Sequence, residues 1–244
     1  MPTAPTFSTS VASVWNTTTS PKTTGALSAA SGDVLASVVL DENDNGNENY
    51  AWSNTGTTQT WTEQAETSGA TSGDAWAQTA TTVVSGALSG DTISATRSAG
   101  SSEYYGILVA KFTATDGIGA TARSTGSATG GPSLAITTSY DNSAIFYAAV
   151  DFNATDGATR THRTVNGYTP TAGNGQELAY FRDSIHYSIY VAYIPDAGTA
   201  GAKSVGLSAP TGMRYVMAAV EVRGTTGGAP PIPPMLIMPT RRAY

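Results

Sequence analysis

Ala144-Ile-Phe-Tyr-Ala-Ala-Val-Asp-Phe-Asn-Ala-Thr-Asp-Gly157 carries the pattern that decides the fold. A run of small, β-branched and aromatic residues is stopped by Asn, Asp and Gly, so it reads as an apolar strand entering a turn. Its alanines allow close packing of one sheet on another. Two echoes lie elsewhere. Ala148-Ala-Val-Asp-Phe152 is matched by Ala218-Ala-Val-Glu-Val222, and Phe152-Asn-Ala-Thr-Asp-Gly157 by Phe112-Thr-Ala-Thr-Asp-Gly117. The echoes are too short and too unevenly spaced for a solenoid or propeller. They read as one strand-end solution used again, not as an internal duplication.

Working outward, helical periodicity is nearly absent and alternation with turn punctuation prevails. Strands are expected at Leu35–Leu40, Ala51–Trp52 into Thr60–Glu63, Ala75–Val84, Thr92–Arg97, Tyr104–Thr113, Ser133–Thr138, Ala144–Phe152, Gln176–Arg182, His186–Ile194, Lys203–Ser208 and Tyr215–Arg223. Ser-Gly-Asp recurs at 31–33, 72–74 and 89–91 as turn punctuation. Short strands at this spacing predict an all-β fold, an antiparallel, jelly-roll-like β-sandwich over residues 25–225. In His186–Ile194, Tyr187 and Tyr193 should share one face and Tyr190 take the other.

The chain has 244 residues, enough for one large β domain or two small ones. Only 12% of them are charged, and hydroxyl and small side chains supply most of the polar spacing. Disordered chains carry more charge and fewer aromatics. A net charge of −6 with few clustered basic residues excludes wrapping of nucleic acid. With no cysteine, disulfides, thiolate nucleophiles and Cys-based zinc sites are excluded. No long apolar run predicts a membrane span. The N-terminus lacks the basic and apolar regions of a secretory signal. A β-rich chain of extracellular flavour without that signal suits a protein released by lysis, such as a virion component.

The termini differ from the body. Residues 1–24 are expected to form an extended N-terminal arm, and residues 226–244 a Pro-rich C-terminal docking tail. Pro231, Pro233 and Pro234 lock φ and remove amide donors, so neither a helix nor a central strand can start there. The segment should be stiff and extended. It continues into Met235, Leu236, Ile237 and Met238, then Arg241 and Arg242. Burying such apolar side chains stabilises by roughly 1.5–3 kcal/mol each. Either the segment folds back onto its own domain or, as expected here, it is a hook for a neighbouring subunit, with the arginines meeting carboxylates.

Small-molecule signals are sparse. Asp41, Asn43 and Asn45 with Gly46 match the opening of an EF-hand loop, with Glu48 as a further oxygen donor for calcium. Trp52 stands where the closing glutamate belongs, so a solvated acidic turn is the simpler reading and no cofactor is expected. Trp52 and Trp61 are candidates for a glycan-stacking platform, against the plainer reading of inter-sheet core. The two histidines, His162 and His186, form no local triad. His162 is flanked by Arg160 and Arg163, whose charge would disfavour its protonation. Gly117-Ile-Gly-Ala-Thr-Ala122 lacks the strand–helix context of a dinucleotide fingerprint and reads as a turn. A glycosidase needs only two carboxylates, and Glu103, Asp151, Glu177 and Glu221 are where an inward pair would lie. No catalytic residue is assigned, and the chain reads as a non-enzyme.

Ser31-Gly-Asp-Val-Leu-Ala-Ser-Val-Val-Leu40 resembles the G-D-x-L opening of jelly-roll modules in bacteriophage tail and head-decoration proteins, particularly those of actinobacterial phages. Thr60-Trp-Thr-Glu63, Gly106-Ile-Leu-Val-Ala-Lys-Phe112 and Tyr215–Arg223 extend the resemblance over roughly residues 25–225. It implies a structural virion protein, a capsid decoration or minor tail protein, on the particle surface. The implied partners are major capsid or tail subunits and further copies of the chain, for instance in a trimer. The alternative is a carbohydrate-binding module for a host cell-surface glycan. The family's motifs are structural, so no functional residue is carried over.

Overall fold

The computed structural model describes residues 2–42, 49–68, 75–98, 103–126 and 130–226. The first half holds β1 (Thr6–Ala12), β2 (Lys22–Thr23), β3 (Leu27–Ala29), β4 (Val34–Asp41), β5 (Tyr50–Asn54), β6 (Thr62–Ser68), β7 (Trp76–Val83), β8 (Leu88–Asp91), β9 (Ile93–Arg97) and β10 (Tyr105–Thr113). The second holds β11 (Thr115–Gly126), β12 (Ser133–Thr138), β13 (Ala144–Asp151), β14 (Thr161–His162), β15 (Glu177–Asp183), β16 (Tyr187–Ile194), β17 (Gly201–Ala209) and β18 (Tyr215–Gly224). A short 3-10 turn, Ala172–Asn174, precedes β15.

The two halves have one topology. The large sheet of the first runs β1-β10-β4-β7-β6, and that of the second β11-β18-β13-β16-β15. The small sheets are β2-β9-β5 with β3-β8, and β12-β17-β14. With β2–β3 and β8–β9 each counted as one position in the first half, the first, last, third and sixth positions of each half lie side by side, and the second, seventh and fourth face them. That is a jelly-roll arrangement, with the fifth strand moved to the edge of the large sheet. Register repeats as well. Asp41 ends β4 opposite Tyr105 at the start of β10, and Asp151 ends β13 opposite Tyr215 at the start of β18. The span expected as one sandwich is therefore two, stacked.

The large sheets face each other, giving four layers and three cores. Val34, Val38, Leu40, Leu108 and Phe112 meet Phe146, Val150, Ile189, Val191 and Val220 between the large sheets. On the outer face of the first large sheet, Leu35, Val39, Ile107 and Val109 pack against Leu88, Ile93 and Ala95. On the second, Ile145, Tyr147, Ala192 and Met217 pack against Leu134, Ile136 and Leu207. Strands buried on both faces favour apolar residues throughout, which explains the near-continuous apolar runs in β4, where Ser37 is the one interior polar residue, and in β13. Alanine at Ala148 and Ala218, paired in register, brings the layers close. Tyr187 and Tyr193 point into the interlayer core and Tyr190 into the second-half core, as period-2 geometry requires.

Of the expected N-terminal arm, residues 2–24 are extended but built into the body. β1 pairs along β10 from Thr6–Thr113 to Ala12–Leu108. A bulge between Phe7 and Thr9 turns Phe7 toward the interlayer core and Val11 toward the first-half core. Trp15 then lies on Gly106, where a Cβ would collide with the indole. Residues 117–122, expected as a turn, belong to β11. That strand carries register shifts between Thr115 and Ile118 and between Ile118 and Thr121. Gly117 sits at φ +97° within the first shift, a backbone state that favours glycine. The segment at 51–63 is likewise two strands, β5 and β6, in different sheets.

Candidate functional site

The first and last described residues, near Thr3 and Thr225, meet at one end of the aligned strands. Thr3 and Thr225 form an isolated bridge, with the Thr3 N–H donating to the Thr225 carbonyl at 3.1 Å and their hydroxyls 2.6 Å apart. The Asn142 side chain donates to the Pro2 carbonyl at 2.9 Å. One Asp116 carboxylate oxygen accepts from the Thr226 N–H at 2.6 Å and from its hydroxyl at 2.9 Å. These two bonds hold the Asp116 carboxyl below its ordinary range. Arg223 donates to the Asp116 carbonyl and lies 4.6 Å over the Tyr140 ring. Gly224 admits the backbone carbonyls of Thr3 and Asn142 where a Cβ would clash with both.

Glu221, one turn of the pleat deeper, fixes this end from within. Its buried carboxylate accepts from the N–H groups of Ala120 (2.7 Å), Ser139 and Tyr140, and from the hydroxyls of Ser139 (2.8 Å) and Ser143 (2.7 Å). Burial pushes its carboxyl up, but these donors outweigh burial and hold it below the usual range. One side chain thus ties β18 to β11 and to the turn between β12 and β13. Gly119 is required beside it, since a Cβ there would strike the carboxylate. The far end of the strands carries Val14 and Ile185, 62% and 82% exposed. There the Tyr187 hydroxyl donates to the Trp15 carbonyl at 2.6 Å, and Tyr104 lies 4.5 Å from the His186 ring.

The second half encloses a polar chain. Arg160 grips Glu177 with two nitrogens and lies 4.1 Å over the Tyr180 ring. The other partner of Glu177 is His162 Nε2 at 3.0 Å, and His162 Nδ1 lies 2.8 Å from the Tyr147 hydroxyl. Arg160, close to His162 in sequence, turns its guanidinium onto Glu177. Burial pushes the Glu177 carboxyl up, while His162 and Arg160 together bring it down to about 2. Burial also raises the Tyr147 phenol far above its ordinary value. Each member is satisfied by the next, so the chain rigidifies the link between β14, β15 and β13.

The sequence-predicted residues scatter. Asp41 turns inward, bonded to Arg97 at 2.8 Å and to the Tyr50 hydroxyl. Its calcium partners Asn43, Asn45 and Glu48 lie outside the described residues. Trp52 and Trp61 are half-buried against the first-half core, and the Trp52 N–H donates to Ser37 Oγ at 2.8 Å. Glu103, Asp151, Glu177 and Glu221 are each engaged separately; Asp151, for example, caps the N–H groups of Asn153 and Thr155. Pro231, Pro233, Pro234, Met235, Leu236, Ile237, Met238, Arg241 and Arg242 lie outside the described residues. Sequence reasoning missed Asp116 and Asn142, which bind Thr226 and Pro2. A clue was present for Asn142, which stands in the turn Asp141-Asn142-Ser143, whereas Asp116 lies within β11 and carries only the following glycine as a signal. No family model, curated protein or solved structure compared with the chain matches it.

Proposed function

We propose that the chain is a non-enzymatic structural component of a bacteriophage virion, a capsid decoration or minor tail protein, displayed on the particle surface and anchored by its C-terminal segment. The observation that carries this reading is the meeting of Thr3 with Thr225 and Thr226 on one bonded platform, opposite an end tipped by Val14 and Ile185. A polar body of this kind has an anchoring end and a presenting end. Segment 227–244 departs from Thr226, whose amide and hydroxyl are held by Asp116, so load on the segment passes directly into β11 and β18. Prolines lower the ordering entropy of docking, and Met235–Met238 supply the apolar contact to a capsid or tail subunit. Repeated copies around the particle, as trimers at three-fold positions, add avidity.

Deleting residues 229–244 tests the anchor. The shortened body should fold as before, and its incorporation into particles should fall at least tenfold. Undiminished incorporation removes the proposal. A second reading, a glycan-binding module using Trp52 and Trp61, is favoured by the partial exposure of both indoles beside a rigid core.

A further inference from the structure

The two arginines that flank His162 are used differently. Arg160 is neutralised by Glu177, and His162 takes up the rest of that carboxylate. Arg163 donates its backbone N–H to the Gly206 carbonyl at 2.8 Å, but its guanidinium has neither a hydrogen bond nor an ion pair among the described residues. Its Nε is shielded from solvent and still lacks an acceptor. Buried donors of this kind are almost always satisfied, by protein, water or ligand. Arg97, Arg123, Arg160, Arg182 and Arg223 all have such partners.

Arg163 lines a hollow of about 390 Å³ on the outer face of the small sheet β12-β17-β14. There β17 turns Val205 and Leu207 to the core and Ser204 and Ser208 outward, and Thr161, Thr164 and Thr169 complete the lining with His162. Both ring nitrogens of His162 are already engaged, by Tyr147 and Glu177. Some hydroxyls are used as well. Ser208 donates to the Thr161 carbonyl at 3.3 Å, Thr164 and Thr169 share a bond of 2.5 Å, and Ser204 lies 3.4 Å from the Ser133 hydroxyl. Each shared pair consumes one O–H and leaves the other free, and the exposed Thr161 hydroxyl is unpaired among the described residues. What remains is a surplus of donors around one guanidinium. No carboxylate lines this hollow, in contrast to those beside Asp116, Glu63 and Glu66, Asp141, and Glu177. A cation would be repelled there, and an apolar ligand would strip water from the guanidinium without replacing its bonds.

We infer that this hollow binds one small oxyanion, a carboxylate or a phosphate, through the Arg163 guanidinium. The planar fork can donate two parallel bonds to either group. A net charge of −6 disfavours long polyanions, whose further charges would lie over an acidic body. The hollow therefore suits a single acidic group, such as an acidic monosaccharide carries. It is separate from Trp52 and Trp61 and does not rest on the virion reading.

The full-length chain would be titrated by heteronuclear NMR with glucuronate, with glucose phosphate and, as the neutral control, with glucose. At least one of the two anions should shift the Arg163 and Ser204 amides while glucose does not, and the anion that does so tells carboxylate from phosphate. Arg163→Gln should weaken binding at least tenfold with the melting temperature unchanged, because the guanidinium holds nothing in the fold. Lys111→Gln, the same loss of charge in the first half, should leave affinity unaltered. Should Arg163→Gln fail to fold, Ser204→Asp, at an exposed residue of the hollow, takes its place and should abolish binding. The inference is overturned if neither anion binds, if glucose binds as well as they do, if the folded hollow variants bind as the parent does, or if Lys111→Gln weakens binding as much as Arg163→Gln.

Discussion

Glu177 joins groups that lie far apart in the chain, and its charge state reports their assembly. With its carboxyl held at about 2 in the fold, below its ordinary 4.5, the contribution to stability is complete above pH 4.5. It is lost as pH falls through 2. The shift corresponds to ~3 kcal/mol, at about 1.4 kcal/mol per unit. Glu177→Gln should therefore destabilise by about 3 kcal/mol at pH 7 in urea titrations, and the difference from the parent should shrink between pH 4.5 and 2. A constant difference across that range would mean that the ion pair is not the cause. The sequence marked Arg160, His162 and Glu177 individually, but their meeting depends on β14 and β15 flanking one turn region. That placement is tertiary and leaves no local pattern. The face assignments of Tyr187, Tyr190 and Tyr193 were legible, because alternation alone determines them.

At the scale of elements, long buried strands were the easiest to read. β4, β7, β10, β13, β16 and β18 combine apolar content with turn residues at both ends, and their expected limits differ little from those observed. β1, β3, β8 and β11 were missed for separate reasons. β1 is an edge whose alternation is broken by a bulge, while β3 and β8 are too short to show a period. β11 is polar and interrupted by Gly117 and Gly119, which read as turn formers although they serve bulges and the approach of Glu221. Strand β10 supplies a direct check on this layer of the account. Gly106→Ala places a methyl against the Trp15 indole, and overpacking of that kind costs about 1–3 kcal/mol. Thermal melting should fall accordingly and tryptophan emission shift to the red as Trp15 leaves the interlayer core. An unchanged melting temperature and emission maximum would contradict the placement of Trp15.

The whole molecule held the least legible feature. The visible echo, Ala148–Phe152 with Ala218–Val222, joins paired neighbours in one sheet and not equivalent strands of the two halves. The true correspondence is of β4 with β13 and β10 with β18, where Asp and Tyr alone recur at matching positions. Core positions accept many apolar residues of suitable size, so topology repeats while sequence does not. The shared interlayer core welds the halves into one block, and the bonds of Thr3 with Thr225 and of Thr226 with Asp116 give that block a direction. The functional reading rests on that direction. It is tested most directly by imaging particles purified from lysates of cells that produce the chain. The account predicts density for the four-layer body on the particle surface, with Thr3 and Thr225 toward the particle and Val14 and Ile185 outward. Particles without the body, or with the body docked through Val14 and Ile185, would contradict it.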